Sequence, residues 1–214
     1  GELTAEAKLS GPFARLAMEE LSASWRGPGQ STASLSGRMA DVNKLTGLEL
    51  DVTGHLDQPA WLAPMLPGNL GPLQSEDLTP SITGSNRTLA LHDGSLRVKT
   101  SDELDLQLAG KADLTANGQT LHPANIDLRL TFAAPATRAA RFLLFDQVWE
   151  LGAINGRADI RSAAGDPAIA NIAIQTRDPQ GIAVELTGGI ARFPLDPHRP
   201  NTGYDLEVTM KSAA

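Results

Sequence analysis

The chain contains no cysteine and few aromatic residues, and these absences exclude several classes of function. Without cysteine among its 214 residues, the protein has no disulfide bridges, thiolate zinc sites or cysteine nucleophile. Aromatic side chains make up 4% of the chain, which is few for a surface that stacks bases or sugar rings. The formal net charge of −7 repels phosphate, so it argues against nucleic acid as a partner and against electrostatic attraction to anionic lipid surfaces.

Long apolar runs are missing as well. No segment approaches the roughly 18 consecutive apolar residues of a transmembrane helix. The first residues, GELTAEAKLSGPF, lack the basic region and the apolar core of a signal peptide. Because the chain begins on a predicted strand and closes just after another, LEVTM, we expect it to be part of a longer protein whose anchor or export signal lies outside this sequence.

The common catalytic and metal-binding motifs are absent from the sequence. The four histidines are not at metal-ligand spacing, and the acidic cluster of Asp102, Glu103 and Asp105 lacks the spacing and central glycine of an EF-hand. Neither a phosphate-binding glycine loop nor a Gly-x-Ser-x-Gly elbow is present. No pair of carboxylates is nominated for glycoside hydrolysis. We therefore predict that the chain is not an enzyme and has no cofactor or metal.

What the sequence does contain is a repeated alternation of apolar and polar residues. In the segment LELDVT, residues 48–53, every second side chain is aliphatic, which predicts a strand with one apolar side and one polar side. The same period returns in four further segments. The candidate residues for a shared apolar groove are Leu48, Leu50, Val52, Leu104, Leu106, Leu108, Ile126, Leu128, Leu130, Phe132, Ile182, Val184, Leu186, Leu206 and Val208.

Three segments of the chain share one order of elements. Each has a strand, a polar turn, a strand with Leu-x-Gly, a looser loop and another alternating strand. The Leu-x-Gly glycines, Gly37, Gly110 and Gly188, lie 73 and 78 residues apart. Within the segments, turns such as RGPGQ, KTSD and RDPQG are too short for parallel crossovers. We therefore predict a mainly β protein, built as a long curved antiparallel meander.

Two connectors between these segments are predicted as short helices. The first, DQPAWLAPMLP, would be helical near residues 58–67, and the second, APATRAARFLLFDQVWE, over about residues 135–150. Both start near a proline and carry apolar residues at helical spacing. The chain then divides into a first β region, residues 1–133, and a second region, residues 134–214, which includes the second helix. We expect one sheet to continue across this division.

The apolar sides of the predicted strands must be covered, because burying one aliphatic side chain is worth about 1.5 to 3 kcal/mol. Three covers are compatible with the sequence: a second half of the same sheet folded over the first, another module of the longer protein, or a lipid. A lipid is physically plausible because each acyl methylene removed from water gains about 0.8 kcal/mol. The residues alone leave a closed core and an open groove as alternatives.

Five short sequence motifs occur in an order that resembles that of the AsmA-like family of Gram-negative envelope proteins. These motifs are Leu35-Ser36-Gly37, the predicted strand from residue 47 to 54, the Asp-x-Pro connector of residues 57–67, the Leu-Gly-Pro-Leu segment of residues 70–73, and the predicted strand of residues 104–110. The resemblance is clear over residues 30–115 and weaker over residues 125–210. Its motifs are strands and turns without a catalytic signature.

The resemblance implies a periplasmic location, with the longer protein tethered to the inner membrane by an N-terminal helix. The family is similar in design to the repeating-β-groove proteins related to TamB and YhdP, which carry phospholipids between membranes. The expected function is to shelter phospholipid acyl chains in an apolar groove for transport to the outer membrane and for outer-membrane homeostasis. Expected partners are these acyl chains, the inner membrane and other envelope proteins. The alternative is a scaffolding module for envelope assembly, with a closed β core and no lipid.

Overall fold

The computed structural model describes residues 1–57, 73–101, 103–117, 120–135, 142–144, 147–149, 152–162, 166–177, 181–192 and 202–211. These residues form strands almost throughout, with one turn of 3₁₀ helix at Phe13–Arg15. The strands are β1 Glu2–Ser10, β2 Ala17–Arg26, β3 Thr32–Asp41, β4 Thr46–Asp57, β5 Leu73–Leu78, β6 Ser81–Ser85, β7 Thr88–Thr100, β8 Asp105–Asn117, β9 Thr120–Ala134, β10 Phe142–Leu144, β11 Gln147–Trp149, β12 Ile154–Ser162, β13 Ala168–Arg177, β14 Ala183–Arg192 and β15 Thr202–Lys211.

Thirteen of the strands form one sheet, and every pairing in it is antiparallel. Its main path follows chain order, β1-β2-β3-β4-β5-β7-β8-β9-β12-β13-β14-β15, while β6 fills the remaining length between β4 and β7. Short turns place consecutive strands such as β2, β3 and β4 side by side. Between β2 and β3 the Gly27 N–H donates to the Ser31 carbonyl at 2.9 Å, and between β3 and β4 the Lys44 N–H donates to Asp41 Oδ1 at 3.0 Å. The predicted antiparallel meander is confirmed.

The prediction of two short helices is wrong where the structure describes the residues. Phe142–Leu144 and Gln147–Trp149 form a two-stranded hairpin within the segment predicted as the second helix. Its apolar residues fit helical spacing, but the aromatic and β-branched residues of the segment also favour paired strands. The first predicted helix, residues 58–67, lies outside the described residues. In the described part of the chain, no helix has the length and apolar character needed to cross a lipid bilayer.

The sheet runs without a break across the division predicted near residue 134. Strand β9 ends at Ala134 and pairs over residues 126–134 with β12, where Ala134 lies opposite Ile154 and Leu128 opposite Ile160. The hairpin β10–β11 lies between these two strands in sequence but forms a sheet of its own. The strands on both sides of residue 134 therefore share one continuous surface.

The repeated glycines sit where two strands approach closely. Gly110 has φ 143° and Gly188 has φ 136°, a backbone conformation that side-chain-bearing residues rarely adopt. A Cβ atom at Gly110 would lie 2.2 Å from the Asp127 carbonyl oxygen, and one at Gly188 would lie 1.8 Å from that of Asp205. The Leu-x-Gly phrase thus marks a position in each repeat where the next strand leaves no space for a side chain.

Candidate binding face

The pairing register places the apolar side chains on one face of the sheet. Residues directly opposite each other in antiparallel strands point to the same side, so the face can be followed from strand to strand. On β3 and β4, for example, Leu35 lies opposite Val52. On β8 and β9, Leu106 lies opposite Phe132. The same side continues from Leu3 in β1 to the alternating apolar residues of β15. We call it the apolar face.

All but two of the predicted groove residues lie in strands on the apolar face. Leu104 and Ile182 lie just before β8 and β14, outside the strands themselves. The residues within strands on this face are Leu48, Leu50, Val52, Leu106, Leu108, Ile126, Leu128, Leu130, Phe132, Val184, Leu186, Leu206 and Val208. Residues far apart in the chain are therefore neighbours on one surface.

The apolar face also contains residues that the sequence reasoning missed. They include Leu3, Leu21, Trp25, Leu35, Met39, Leu89, Leu91, Leu96, Val98, Ile154, Ile160, Ile172, Ile174 and Ile190. Many of their strands carry alanine, serine and glycine between the larger residues, which weakens the apolar signal. The alternation in ELSASWR and SLSGRM was the signal that could have assigned the larger residues of β2 and β3, which were predicted as strands, to this face.

The apolar face is not buried as a β-sandwich core would be. Apart from proline, the only aliphatic or aromatic residues that are buried in the described part of the chain are Val98, 6% exposed, and Ile154, 5% exposed. The other apolar side chains of the inner strands are half-buried, and those of the two outermost strands are mostly exposed. In a sandwich, a second sheet about 10 Å away would bury such a face. A continuous apolar surface of this extent is characteristic of a binding surface.

The opposite face is polar and is joined across strands by side-chain pairs. Arg38 Nε donates to Glu49 Oε2 at 2.8 Å between β3 and β4. Gln175 Nε2 donates to Glu185 Oε1 at 3.1 Å between β13 and β14. Such pairs, each worth a few tenths of a kcal/mol to about 1 kcal/mol, support the register that separates the two faces. In the described ranges, no group of three or more His, Asp or Glu side chains is placed to hold a metal ion.

Asp159 is the centre of a polar cluster on this face. Its side chain is 8% exposed and accepts hydrogen bonds from Arg129 Nε at 2.9 Å, Asn171 Nδ2 at 2.7 Å and Arg161 Nη2 at 3.3 Å. Asn171 has φ 52° and lies at a bulge in the pairing of β13, and from there it donates to this carboxylate. The Arg129 hydrogen bond is the main cause that lowers the pKa of Asp159 below its usual value.

We expect Asp159→Asn to lower the free energy of unfolding at pH 7 by about 1 to 3 kcal/mol, because it weakens charge-assisted hydrogen bonds. The lowered pKa means that Asp159 stabilises the fold above its unfolded value of about 3.9 and that this contribution is lost as the pH falls through the folded value. Urea unfolding from pH 7 to pH 3 measures both effects. Glu207→Gln, at an exposed carboxylate of β15, should change little. An equal loss in the two variants would contradict the role of the cluster.

Glu76 interrupts the apolar face with a buried carboxyl group. It lies opposite Leu56 on one side and Val98 on the other, and it is 5% exposed. Its Oε2 atom has no hydrogen-bond partner in the part of the chain that the structure describes. Burial, with a smaller contribution from Asp77, raises the pKa of Glu76 above its usual value. Sequence reasoning did not find this position, because its burial depends on strands distant in the chain.

No protein-family model, curated protein or solved structure matches the chain. The AsmA-like resemblance therefore remains a prediction from the residues. The similar phrases of residues 35–37 and 47–54 lie in β3 and β4, and that of residues 104–110 leads into β8. The connector helix of the resemblance lies almost wholly outside the described residues.

Proposed function

We propose that this chain is a periplasmic segment of an AsmA-like protein that shelters phospholipid acyl chains on its apolar face. In this proposal the sheet curves into a groove, and lipid moves along it from the inner membrane toward the outer membrane. The observation that supports the proposal is the continuity of the apolar face from β1 to β15, with its inner residues only half-buried. A surface of this kind stabilises a hydrocarbon chain along its whole length.

The energetics favour a ligand with long alkyl chains. Each methylene group that leaves water gains about 0.8 kcal/mol, and the contact is non-directional, so a chain can slide without breaking specific bonds. The twelve strands of the main path, at about 4.8 Å each, extend for roughly 50 Å along the sheet. That path is longer than the roughly 30 Å hydrocarbon core of a whole bilayer, which contains two acyl chains end to end. The face therefore has room for complete acyl chains.

A scaffolding module with a closed β core is the alternative function. It would require the same side chains to be buried by protein atoms, whereas only Val98 and Ile154 reach that state among the described aliphatic and aromatic residues other than proline. The incomplete burial of the others supports the lipid-binding proposal over this alternative. In the first proposal lipid contacts these side chains, and in the alternative protein does. Crosslinking can distinguish the two.

Site-specific photo-crosslinking tests which face contacts lipid. We expect a benzophenone amino acid at Leu50, Leu106 or Leu128 to capture phospholipid from cells that express the protein, because these side chains lie on the apolar face. Lipid mass spectrometry of the irradiated, purified protein measures the adduct. We expect at least a tenfold excess of adduct over the polar-face controls.

The matched controls are the sequence neighbours Glu49, Gln107 and Asp127, which point to the opposite face of the same strands. Each control position is adjacent in sequence to its test position. The two variants of each pair should therefore be expressed at similar levels and should meet lipid at the same part of the sheet. Equal labelling on both faces would overturn the assignment of the groove. Protein adducts in place of lipid adducts at the apolar positions would favour the scaffolding alternative.

A further inference from the structure

Three turns lie next to each other at one end of the strands, where the chain reverses direction. They are residues 11–16 between β1 and β2, residues 42–45 between β3 and β4, and residues 86–87 between β6 and β7. The register places them at the same end of the sheet, because Asp41 of β3 lies opposite Thr46 of β4, and Thr46 lies opposite Ser85 of β6. We call these three turns the turn rim.

Hydrogen bonds join neighbouring turns of the rim to each other. Asn43 Nδ2 donates to the Phe13 carbonyl oxygen at 2.7 Å, which connects the first two turns. The Asn86 N–H donates to the Leu45 carbonyl oxygen at 2.9 Å, which connects the second turn with the third. Because each of these bonds crosses from one turn to the next, the three turns are held in fixed positions relative to one another.

The turn rim exposes two large apolar side chains to water. Phe13 is 88% exposed and Leu45 is 48% exposed. Leu45 also has φ 52°, in the left-handed region, where a residue with a branched side chain is less stable than glycine. Single exposed apolar residues are common at protein surfaces, but these two lie on adjacent turns that are bonded together. Together they indicate contact with an apolar partner.

The turn rim is also cationic, although the chain as a whole has a net charge of −7. Its residues include Arg15, Lys44 and Arg87, and they include no aspartate or glutamate. Among the described residues, Arg15 and Arg87 have no ion-pair partner, while Lys44 lies 3.7 Å from Asp41 with 72% of its side chain exposed. Asp41 is buried and accepts a hydrogen bond from the Lys44 N–H. The charges that the rim presents to water are therefore positive.

We propose that the turn rim docks on the surface of an anionic lipid bilayer, with Phe13 and Leu45 inserted between the headgroups and the three cations beside lipid phosphates. Apolar side chains accompanied by arginine and lysine are typical of protein segments that lie in a membrane interface. The long cationic side chains can reach the phosphates while the apolar side chains enter the acyl boundary. Docking needs no acyl chain on the apolar face, so it goes beyond the proposed function and can succeed or fail independently of it.

A lipid surface fits these side chains better than a protein pocket does. The turn between β1 and β2 and the turn between β3 and β4 lie two strand spacings apart, or about 10 Å. Phe13 and Leu45 therefore form a row of separate points, whereas the residues that dominate protein–protein interfaces cluster in desolvated pockets. A row of apolar points with cations beside them matches a fluid surface that is apolar below its phosphates.

Vesicle binding by the full chain tests the proposal. We expect the protein to bind phosphatidylcholine vesicles that contain about one third phosphatidylglycerol, and to bind pure phosphatidylcholine vesicles at least fivefold more weakly. Phe13→Ser should weaken binding to the anionic vesicles about tenfold, and Arg87→Gln about fivefold. Co-sedimentation measures the bound fraction, and circular dichroism verifies that each variant is folded.

Phe13→Trp and Arg26→Gln are the matched controls. Tryptophan keeps a large apolar ring on the turn, so Phe13→Trp should bind at least as well as the wild-type protein. Arg26 is an exposed cation at the opposite end of the strands, so Arg26→Gln should leave binding unchanged. Absence of binding between the folded wild-type protein and anionic vesicles would overturn the proposal. Equal losses in Arg26→Gln and Arg87→Gln would also overturn it, because the attraction would then not be local to the rim.

A fluorescent label identifies the part of the molecule that enters the membrane, and the chain has no cysteine of its own. We expect an environment-sensitive dye on Ala14→Cys, in the turn rim, to shift its emission to shorter wavelengths when anionic vesicles are added. The same dye on Gln30→Cys, in the turn between β2 and β3 at the opposite end of the strands, should not shift. An equal shift at both positions, or a shift at residue 30 alone, would show that another surface contacts lipid and would reject docking through the rim.

Discussion

Replacement of Gly110 by alanine is expected to lower the free energy of unfolding by about 2 to 4 kcal/mol. The added Cβ atom would lie 2.2 Å from the Asp127 carbonyl oxygen, and this oxygen belongs to the neighbouring strand β9. The φ of 143° is also unfavourable for alanine. Strain from the backbone conformation and overlap with the backbone of β9 act together, so side-chain movement cannot relieve them. Urea unfolding followed by circular dichroism measures the loss.

Gly54→Ala is the matched control for this substitution. Gly54 lies in β4, and a Cβ atom there would meet its nearest neighbour, the Thr32 carbonyl oxygen, at 3.8 Å. Alanine in a strand interior is otherwise favoured over glycine, so the control should be neutral or slightly stabilising. Gly188→Ala, with its Cβ atom 1.8 Å from the Asp205 carbonyl oxygen, should behave like Gly110→Ala. Equal stability of the Gly54 and Gly110 variants would show that the close strand approach has no energetic importance.

The second large effect is expected from Leu106→Asp, which places a carboxylate in the middle of the apolar face. If acyl chains contact this face, phospholipid binding should fall at least tenfold, because the substitution removes apolar contact worth roughly 1.5 to 3 kcal/mol and adds a charge beside the ligand. Leu106 is half-buried, so the carboxylate keeps contact with water and the fold should persist. Native mass spectrometry of the purified protein measures bound phospholipid, and thermal unfolding measures stability.

Gln107→Asp is the control, because residue 107 points to the polar face from the adjacent position of β8. It introduces the same carboxylate into the same strand and should leave lipid binding unchanged. Unfolding of the Leu106 variant alone, without any lipid in the wild-type protein, would favour a closed core and reject the groove. A folded Leu106 variant that retains full lipid binding would also reject it.

Local pattern was sufficient to predict the class of the fold. The alternation in residues 48–53 and 126–132 identifies strands with two chemically different sides, and short turns such as RGPGQ force antiparallel neighbours. Local pattern failed at residues 142–149, where the same apolar residues fit both a helical stripe and the observed hairpin. Over so few residues, the two periods cannot be distinguished without knowing what lies opposite.

The candidate face was predicted in part for the same reason. The apolar residues of strands rich in leucine and isoleucine were assigned to the face, whereas those of β2 and β3, although both were predicted as strands, were not, because alanine and serine dilute their alternation. The buried positions of Glu76 and Asp159 were not predicted at all. Each is surrounded by residues of other strands, such as Val98 beside Glu76 and Arg129 beside Asp159. Contacts between strands that are distant in the chain cannot be predicted from the adjacent residues.

The sequence by itself therefore determined that the strands are two-sided, that consecutive strands run antiparallel, and that the chain lacks cysteine chemistry and a basic surface. These properties depend on residues within a few positions of each other, where side-chain direction alternates strictly. The pairing of β9 with β12 and the union of the apolar sides into one face were decided by tertiary structure. They depend on which distant strands exchange backbone hydrogen bonds, because register across strands is set by pairing and not by periodicity along one strand.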